Sequence, residues 1–260
     1  MNERRLGIIM NGITGRMGLS QHLKHAIMAI RAQGGVALGD GSRVMPDPLL
    51  VGRDPEKLQH LADELGLGRW TTDLNAALAG AEDEVYFDAV TTAHRAANLR
   101  KAISAGKHVY TEKPIAGSAD EAFELARAAD AAGIRHGVVH DKLWAPGLIK
   151  LRMLREAGFF GRILTVRIEG CYWVFEGDLQ PVQRPSWNYR KEDGGGMILD
   201  MMPHYRYIVE ELFAPIEDLV CLGATHIPPA STNRVSPMKR APTTPATRSS
   251  ASRAASSCRS

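Results

Sequence analysis

The chain has 260 residues, of which 44% are hydrophobic and 25 are glycine, a composition that suits one or two α/β domains. Residues 228–260 hold six Lys or Arg and no acidic residue, whereas residues 1–227 hold 26 basic and 29 acidic groups. The globular part is therefore mildly acidic, which argues against nucleic-acid binding and membrane-surface binding. Three dispersed cysteines predict neither a disulfide framework nor a metal site. Because no apolar run reaches the length of a signal peptide or a membrane span, we expect a soluble cytoplasmic protein.

Short apolar runs that end in turn residues alternate with amphipathic segments up to about residue 141. The runs are predicted strands, at Leu6–Met10, Leu49–Val51, Val85–Val90, His108–Tyr110 and His136–Val139. The amphipathic segments are predicted helices, at Arg16–Arg31, Pro55–Leu65, Arg95–Ala105 and Ser118–Ala132. Strands that alternate with helices indicate βαβ units, so we predict an α/β domain with a doubly wound parallel sheet over residues 1–141.

The pattern changes after Pro146. Residues 148–157 have helical spacing, and residues 161–171 alternate apolar and polar side chains as an antiparallel strand does. Residues 174–193 are polar and predict a long loop, after which three glycines lead into a helix that ends at Phe213. We therefore predict a smaller, partial α+β domain over residues 142–227.

Residues 228–260 consist mainly of Ser, Thr, Ala, Pro and Arg, with no Leu, Ile, Gly or aromatic residue. Such a segment buries too little apolar surface to offset the entropy of ordering, so we expect a disordered tail. It is typical either of a basic interaction tail or of out-of-frame translation. We favour the second, because residues 241–246, read two bases later in GC-rich codons, give an ordinary Ala-Asp-Asp-Ala sequence. An intact reading frame in resequenced coding DNA would exclude it.

The first predicted strand runs into a glycine-rich loop, Gly12-Ile13-Thr14-Gly15-Arg16-Met17-Gly18, which opens the first helix. Glycines let the backbone turn sharply and approach a pyrophosphate, and a helix N-terminus supplies N–H groups and a positive dipole end. The strand–loop–helix context therefore predicts a dinucleotide-binding site. The alternative is a glycine-rich turn that binds nothing.

The second strand ends in Val51-Gly52-Arg53-Asp54, at the place where a dinucleotide-binding fold reads the adenosine ribose. A basic residue suits the 2′-phosphate of NADP, so Arg53 favours NADP. Asp54 leaves NAD as the alternative cofactor, although an Asp before Pro55 is equally typical of a helix N-cap.

Glu112-Lys113-Pro114 follows the fourth predicted strand, at the sheet edge where ligands bind in open α/β folds. A lysine there can donate to a substrate oxygen, and a nearby positive charge would lower its pKa. The alternative is a surface lysine before a turn-forming proline.

Asp200 and His204 are four residues apart in a predicted helix, so their side chains share a face. Histidine moves protons near neutral pH, and a neighbouring carboxylate can fix its tautomer or act beside it. Pro203 is disfavoured in a helix interior, which is typical of a functional site. The alternative is a partly buried histidine on an amphipathic helix.

Weaker candidates complete the predicted site. Lys142 follows the last strand of the sheet, and Trp187 and Arg190 in the long loop could stack on and hydrogen-bond a sugar ring, although packing roles are open for all three. His94 and Arg95, after Thr91-Thr92, are predicted to cap a helix.

Together these segments resemble the Gfo/Idh/MocA family, the group of glucose–fructose oxidoreductase and inositol dehydrogenase, over about residues 5–225. The most specific part is the run from Ala105 to Pro114, AGKHVYTEKP. The other matching parts are Gly12…Gly15-Arg16-Met17-Gly18, Gly158…Gly161-Arg162-Ile163 and Trp187…Gly194-Gly195-Gly196…Asp200…His204.

The resemblance implies a Rossmann domain followed by an α/β domain with an open antiparallel sheet, and homo-oligomers. It implies NAD(P)-dependent hydride transfer at a hydroxyl or carbonyl carbon of a sugar, polyol or related compound. Glu112 would support the nicotinamide ribose, and Thr91 and Thr92 would line the cofactor.

Carried over residue by residue, the resemblance also assigns catalytic roles. Lys113 would bind the reacting oxygen and tune the proton relay. His204 would be the base in oxidation and the acid in reduction, and Asp200 would hold the substrate or assist the relay.

The sequence departs from the family at several positions. Ile13 stands where the family has its first glycine. This loop variant is also similar to that of dihydrodipicolinate reductase, but the Glu112-Lys113-Pro114 run argues against that enzyme. Arg95 stands where the family often has His, and Lys142 where it has Arg. Family members continue well past residue 227, so we expect a C-terminally truncated chain. The second hypothesis is therefore a dinucleotide-binding protein without turnover, a sensor or an inactive truncated product.

Overall fold

The computed structural model describes residues 2–170, 190, 195–224, 229–231 and 237–239. The chain forms two compact units, Met1–Asp141 and Lys142–Ser260. Within the described residues, no helix combines the length and the apolar composition that crossing a membrane requires.

The first unit is built on a seven-stranded sheet. The strands are β1 (Glu3–Asn11), β2 (Val36–Ala37), β3 (Arg43–Val51), β4 (Trp70–Thr71), β5 (Asp83–Asp88), β6 (His108–Thr111) and β7 (His136–Val138). Their order is β2-β3-β1-β5-β6-β7, and β4 also pairs with β3. All pairs are parallel except the β2–β3 pair. The predicted doubly wound parallel sheet is therefore confirmed.

Strand β3 begins six residues earlier than predicted, at Arg43 instead of Leu49. Pro46 and Pro48 lie inside it, and proline normally argues against a sheet interior because it lacks an N–H. One edge of β3 pairs with β1 along its whole length, whereas the other edge pairs with β2 and β4 only at the two ends. The prolines lie between those two short pairings, where a donor is not needed.

Helices cover both faces of this sheet. They are α1 (Met17–Met28, π-helical, continuing as an α-helix over Ala29–Ala32), α2 (Pro55–Leu65), α3 (Leu74–Ala79), α4 (Thr92–Ser104) and α5 (Ala119–Ala131). The N-cap considered for Asp54 is present, since its side chain accepts from Lys57 N, and Ser118 caps α5 by accepting from Glu121 N. Gly66 ends α2 in the left-handed conformation, which is common at helix C-termini.

Alternate residues of β1 point to opposite faces of the sheet and enter two separate cores. Ile9 belongs to one core, and Ile8 and Met10 belong to the other. The first core also contains Val51, Tyr86, Leu99 and Leu125. The second also contains Ile13, Leu23, Leu50 and Leu58. Burial on both faces explains why the strand reads as a continuous apolar run in the sequence.

The described residues of the second unit include two longer helices, α6 (Pro146–Glu156) and α7 (Met197–Leu212). The Arg155 guanidinium of α6 donates to the carbonyls of Glu211 and Leu212, at 3.2 and 2.8 Å, so it satisfies acceptors at the end of α7. The antiparallel strand predicted from residue 161 to 171 is not formed over its described part, residues 161–170. Alternation alone does not make a strand, because the backbone also needs a pairing partner.

Short antiparallel pairing is present further along, between β8 (Pro229–Ser231) and β9 (Pro237–Lys239). These strands lie in the segment predicted to be disordered, and most of that segment is outside the described residues. Backbone pairing needs no apolar side chain, so the composition of the segment gives no sign of it.

Candidate active site

The glycine loop lies at the point where the sheet reverses its strand order. Strand β1 has β3 on one side and β5 on the other, and ligands of doubly wound folds bind at the carboxyl ends of such strands. Gly12 has φ +82°, and a Cβ on it would lie 2.7 Å from the backbone of Ala89 and Val90. A Cβ on Gly18 would lie 2.5 Å from the Gly12 carbonyl oxygen. Glycine is therefore required at both positions.

The middle of the loop is anchored on one side and open on the other. Ile13 is fully buried in the core, whereas Thr14, Gly15 and Arg16 are exposed. Met17 begins α1, and among the described side chains none caps this helix N-terminus. The loop thus presents backbone and helix dipole to solvent, which fits the pyrophosphate of a dinucleotide.

At the end of β3, Asp54 takes the capping role considered for it. Its carboxylate accepts from the backbone N–H of Lys57 at 3.1 Å and pairs with Lys57 Nζ at 3.1 Å. The hydrogen bond from the Lys57 backbone lowers the pKa of Asp54. Asp54 is therefore the N-cap of α2, and the neighbouring Arg53 is exposed beside it.

The Glu-Lys-Pro segment leaves the sheet directly after β6. The carboxylate of Glu112 is buried; Oε1 lies 2.6 Å from His22 Nε2 on α1, and Oε2 accepts from the Lys113 backbone at 3.2 Å. His22 packs against the Phe87 ring, with ring centroids 4.6 Å apart. Lys113 is partly buried, and the peptide bond between it and Pro114 is cis. Sequence reasoning missed His22, because its partner is 90 residues away.

Arg95 has a role that differs from the predicted helix cap. It lies one turn inside α4 and is 3% exposed, and its Nε donates to Asp88 Oδ1 at 3.2 Å. Its other two nitrogens donate to the backbone carbonyls of Val90 and Pro114. Capping is therefore the wrong description of Arg95, because the buried guanidinium is directed inward to Asp88 and to two loops of the sheet edge.

A hydrogen-bonded chain runs across the strand ends below these loops. Asn11 Nδ2 donates to the Tyr86 hydroxyl at 2.9 Å, and that hydroxyl donates to Asp88 Oδ2 at 2.6 Å. Burial raises the pKa of Asp88, against the hydrogen bond from Tyr86 and the charge of Arg95. Burial and the nearby Asp88 carboxylate also raise the pKa of Tyr86. These hydrogen bonds therefore connect Asn11, at the end of β1, to Asp88, which pairs with Arg95.

The two threonines predicted to line the cofactor differ in exposure. Thr92 is buried and begins α4, whereas Thr91 is exposed at the N-terminal boundary of the helix. Both follow β5, so they lie at the same sheet edge as the glycine loop.

In the second unit, α7 carries Asp200 and His204 one turn apart and continues through Pro203. His204 is buried, and its Nδ1 lies 2.5 Å from the Tyr207 hydroxyl. That hydroxyl also accepts from the backbone N–H of Lys142 at 3.3 Å. Tyr207 was not predicted, although its three-residue spacing from His204 places both on one helix face.

Arg190 and Trp187 are the remaining substrate candidates of the second unit. The Arg190 carbonyl accepts from Gly195 N at 2.9 Å, just before α7. Trp187 lies outside the described residues. In the described part of the chain, no group of three His, Cys, Asp or Glu side chains is arranged to hold a metal ion.

This sheet order, with a glycine loop and an uncapped helix at the switch point, defines the first unit as a dinucleotide-binding domain of the Rossmann class. Residues 48–140 match the family model described as "Oxidoreductase family, NAD-binding Rossmann fold", and residues 148–245 match "GFO/IDH/MocA C-terminal domain". The chain belongs to the GFO/IDH/MocA oxidoreductase family. The second match includes residues 228–245, which belong to the segment predicted to be disordered.

Similarity extends to individual proteins. The chain is 52% identical to a D-xylose dehydrogenase of Paenarthrobacter nicotinovorans over 221 residues, 85% of this chain and 57% of that protein. A levoglucosan dehydrogenase in complex with NADH and levoglucosan has a TM-score of 0.66 at 21% identity, over 89% of this chain and 60% of that one. The super-repressor mutant of Gal80p from Saccharomyces cerevisiae has a TM-score of 0.69 at 15% identity, over 92% of this chain and 62% of that one. The two structures show the fold alone.

Proposed function

We propose that this protein is an NAD(P)-dependent oxidoreductase that transfers a hydride to or from a hydroxyl or carbonyl carbon of a sugar, polyol or related small molecule. One observation carries the proposal. Asn11, Asp88 and Thr111 are in register at the ends of three neighbouring parallel strands, so the glycine loop and Lys113 leave the sheet at the same edge. A dinucleotide seated on the glycine loop would therefore extend along the edge that carries Lys113.

The chain's own residues would bind the reacting oxygen and move the proton. The nicotinamide, when bound, supplies the hydride acceptor or donor. Lys113 would donate a hydrogen bond to the substrate oxygen and favour its anionic form during oxidation. His204 would exchange the hydroxyl proton as base or acid, and Asp200 on the same helix face would hold the substrate or assist the relay.

NADP is the proposed cofactor, with NAD as the alternative. Asp54 caps helix α2 through the backbone N–H of Lys57, which accounts for this acidic residue without a ribose contact. Arg53 is exposed and next to it, and a guanidinium suits the doubly charged 2′-phosphate.

A sugar is the proposed substrate class. The D-xylose dehydrogenase relative makes pentoses the first compounds to test. Lys142, Trp187 and Arg190 are proposed substrate contacts, since guanidinium, ammonium and indole groups recognise hydroxyl-rich rings. The chain spans 57% of that relative, so the activity and the self-association expected of the family are both proposals for this chain.

Titration with NADPH and NADH, followed by nicotinamide fluorescence, tests the cofactor. We expect tighter binding of NADPH, and we expect Arg53→Ala to weaken NADPH by about tenfold while it leaves NADH within about twofold. Arg127→Ala, an exposed arginine of α5, is the matched control. Equal binding of both nucleotides to the unsubstituted chain would contradict the assignment of Arg53.

A protein that binds the dinucleotide without turnover is the second candidate. The likeness to Gal80p supports this second candidate, because this fold is not confined to proteins named as dehydrogenases. Lys113→Ala separates the two candidates. For an enzyme, turnover of pentoses and other sugars should fall by at least about a hundredfold while NADPH binding largely survives. Absence of turnover in the unsubstituted chain across the same sugars would favour the second candidate.

A further inference from the structure

Arg95 connects two loops of the proposed site through one buried side chain. The first loop follows β5 and contains Val90; the second follows β6 and contains Lys113 and Pro114. The guanidinium donates to the carbonyl of Val90 and to the carbonyl of Pro114, and its Nε is paired with Asp88. Both members of the Arg95–Asp88 pair are buried, with side-chain exposures of 4% and 0%.

The same two loops share further contacts through Asp88. Its Oδ1 accepts from Val90 N at 3.1 Å, and its backbone carbonyl accepts from Glu112 N at 2.9 Å. Asp88 thereby holds the start of each loop, and Arg95 holds each loop further along. A planar group with several fixed donors can bridge two carbonyls and a carboxylate, whereas an ammonium group on a flexible chain is a single point charge. Lysine at this position would keep the charge and lose the bridge.

We propose that Arg95 is a positioning residue that sets the place of Lys113 at the nicotinamide end of the site. The inference rests on the proposed function and adds to it a residue that touches neither substrate nor cofactor. Arg95 acts through Pro114, which follows Lys113 directly, so a shift of the second loop displaces the lysine. The glycine loop has anchors of its own, Ile13 in the core and the hydrogen bond from Gly12 N to the Val51 carbonyl at 3.2 Å. Loss of the Arg95 bridge should therefore weaken binding at the nicotinamide end of the dinucleotide site more than binding of the rest of the dinucleotide.

The test compares two ligands that differ in the nicotinamide end. NADPH carries the nicotinamide, and 2′-phospho-ADP-ribose lacks it. For Arg95→Met and Arg95→Lys, we expect the Kd of NADPH to rise by at least about tenfold, because the shifted loop carries Glu112, proposed to support the nicotinamide ribose, as well as Lys113. The Kd of 2′-phospho-ADP-ribose should stay within about twofold. In turnover, we expect kcat to fall by at least about tenfold with a smaller change in the KM of the sugar, because displacement of a catalytic group acts mainly on the chemical step.

Arg100→Met is the matched control, because Arg100 lies on the same helix and pairs at the surface with Glu121 and Glu124. Arg95→Lys keeps the buried charge balanced, so it serves if Arg95→Met does not fold. Equal weakening of both ligands would overturn the inference and leave the proposed function standing. Full rescue of NADPH affinity and kcat by Arg95→Lys would also overturn it, since charge alone would then suffice. If the unsubstituted chain bound neither ligand, the proposed function would fall and the inference with it.

Discussion

His22 Nε2 lies 2.6 Å from Glu112 Oε1, and this contact joins the helix that follows the glycine loop to the loop that carries Lys113. Both side chains are largely buried. The pair thus links the two parts of the sequence on which the proposed function rests, from positions 90 residues apart. A buried carboxylate that loses one partner retains its desolvation cost, so the pair matters for stability as well as for the site.

Replacement of His22 should therefore destabilise the first unit. We expect His22→Ala to lower the free energy of unfolding by about 2 kcal/mol, because Glu112 loses a hydrogen-bond partner and Phe87 loses a ring contact. Urea unfolding followed by circular dichroism measures this change. His25→Ala on the exposed side of the same helix is the control and should be nearly neutral. An equal effect of both substitutions would show that the helix, and not the pair, is responsible.

A buried ion-pair network at the opposite edge of the sheet is expected to contribute to stability alone. Asp83 is 1% exposed; Arg69 donates to both of its oxygens, at 2.9 and 2.7 Å, and Arg5 lies at 3.3 Å. The hydrogen bonds to Asp83 raise the pKa of Arg69. Asp83→Ala removes the buried partner of Arg69, which keeps Asp47 and Glu82 at 3.0 Å, so we expect a loss of about 2 kcal/mol in unfolding free energy.

The control for Asp83 is the neighbouring exposed pair of Arg4 and Glu84, whose side chains are 61% and 38% exposed. Glu84→Ala should change the unfolding free energy by no more than about 0.5 kcal/mol, because water and salt screen an exposed pair. Salt should reduce the small Glu84 effect and leave most of the Asp83 effect in place. Similar losses for the two variants would contradict a special role for the buried carboxylate.

Tyr207 is expected to orient His204. Its hydroxyl lies 2.5 Å from His204 Nδ1 and accepts from Lys142 N, so it fixes one nitrogen of the ring and assigns the proposed proton exchange to Nε2. Tyr207→Phe retains the ring and removes that hydrogen bond. We expect kcat to fall by about tenfold, with little change in NADPH affinity. Tyr205→Phe on the same helix is the control, and a kcat unaffected by Tyr207→Phe would remove Tyr207 from the mechanism.

The parts that the sequence predicted are those governed by local pattern. The apolar run at Leu6–Met10, the glycine loop after it and the cap at Asp54 all follow from spacing and turn chemistry. The beginning of β3 did not follow, because Pro46 and Pro48 are tolerated only where an edge lacks a continuous partner.

The contacts that sequence reasoning missed are long-range and polar. From the sequence, Arg95 is an ordinary helix residue. Its partner, the carbonyl of Pro114, lies 19 residues further along the chain and reaches it only in the folded structure. His22 likewise lacks a sequence signature, since its partner depends on packing, whereas the three-residue spacing of Tyr207 from His204 is a local signal. Such contacts arise from tertiary structure, which periodicity and propensity do not encode.

Gly15 and Gly18 of the glycine loop differ in the atoms that an added side chain would meet. A Cβ on Gly18 would meet backbone atoms, Gly12 O at 2.5 Å and Ile13 Cα at 2.9 Å, which cannot move without opening the loop. A Cβ on the exposed Gly15 would meet only Gly12 O, at 3.3 Å. Gly18→Ala should therefore lower the melting temperature by several degrees, roughly the effect of 1–3 kcal/mol of overpacking.

Gly15→Ala should fold with nearly the original melting temperature and still weaken NADPH by about tenfold, because the added methyl group lies at the helix N-terminus proposed to approach the pyrophosphate. Calorimetry and nicotinamide fluorescence on the two variants measure these effects side by side. If Gly15→Ala bound NADPH as tightly as the unsubstituted chain, the pyrophosphate would not approach this glycine, and the dinucleotide would have to be placed elsewhere on the sheet edge.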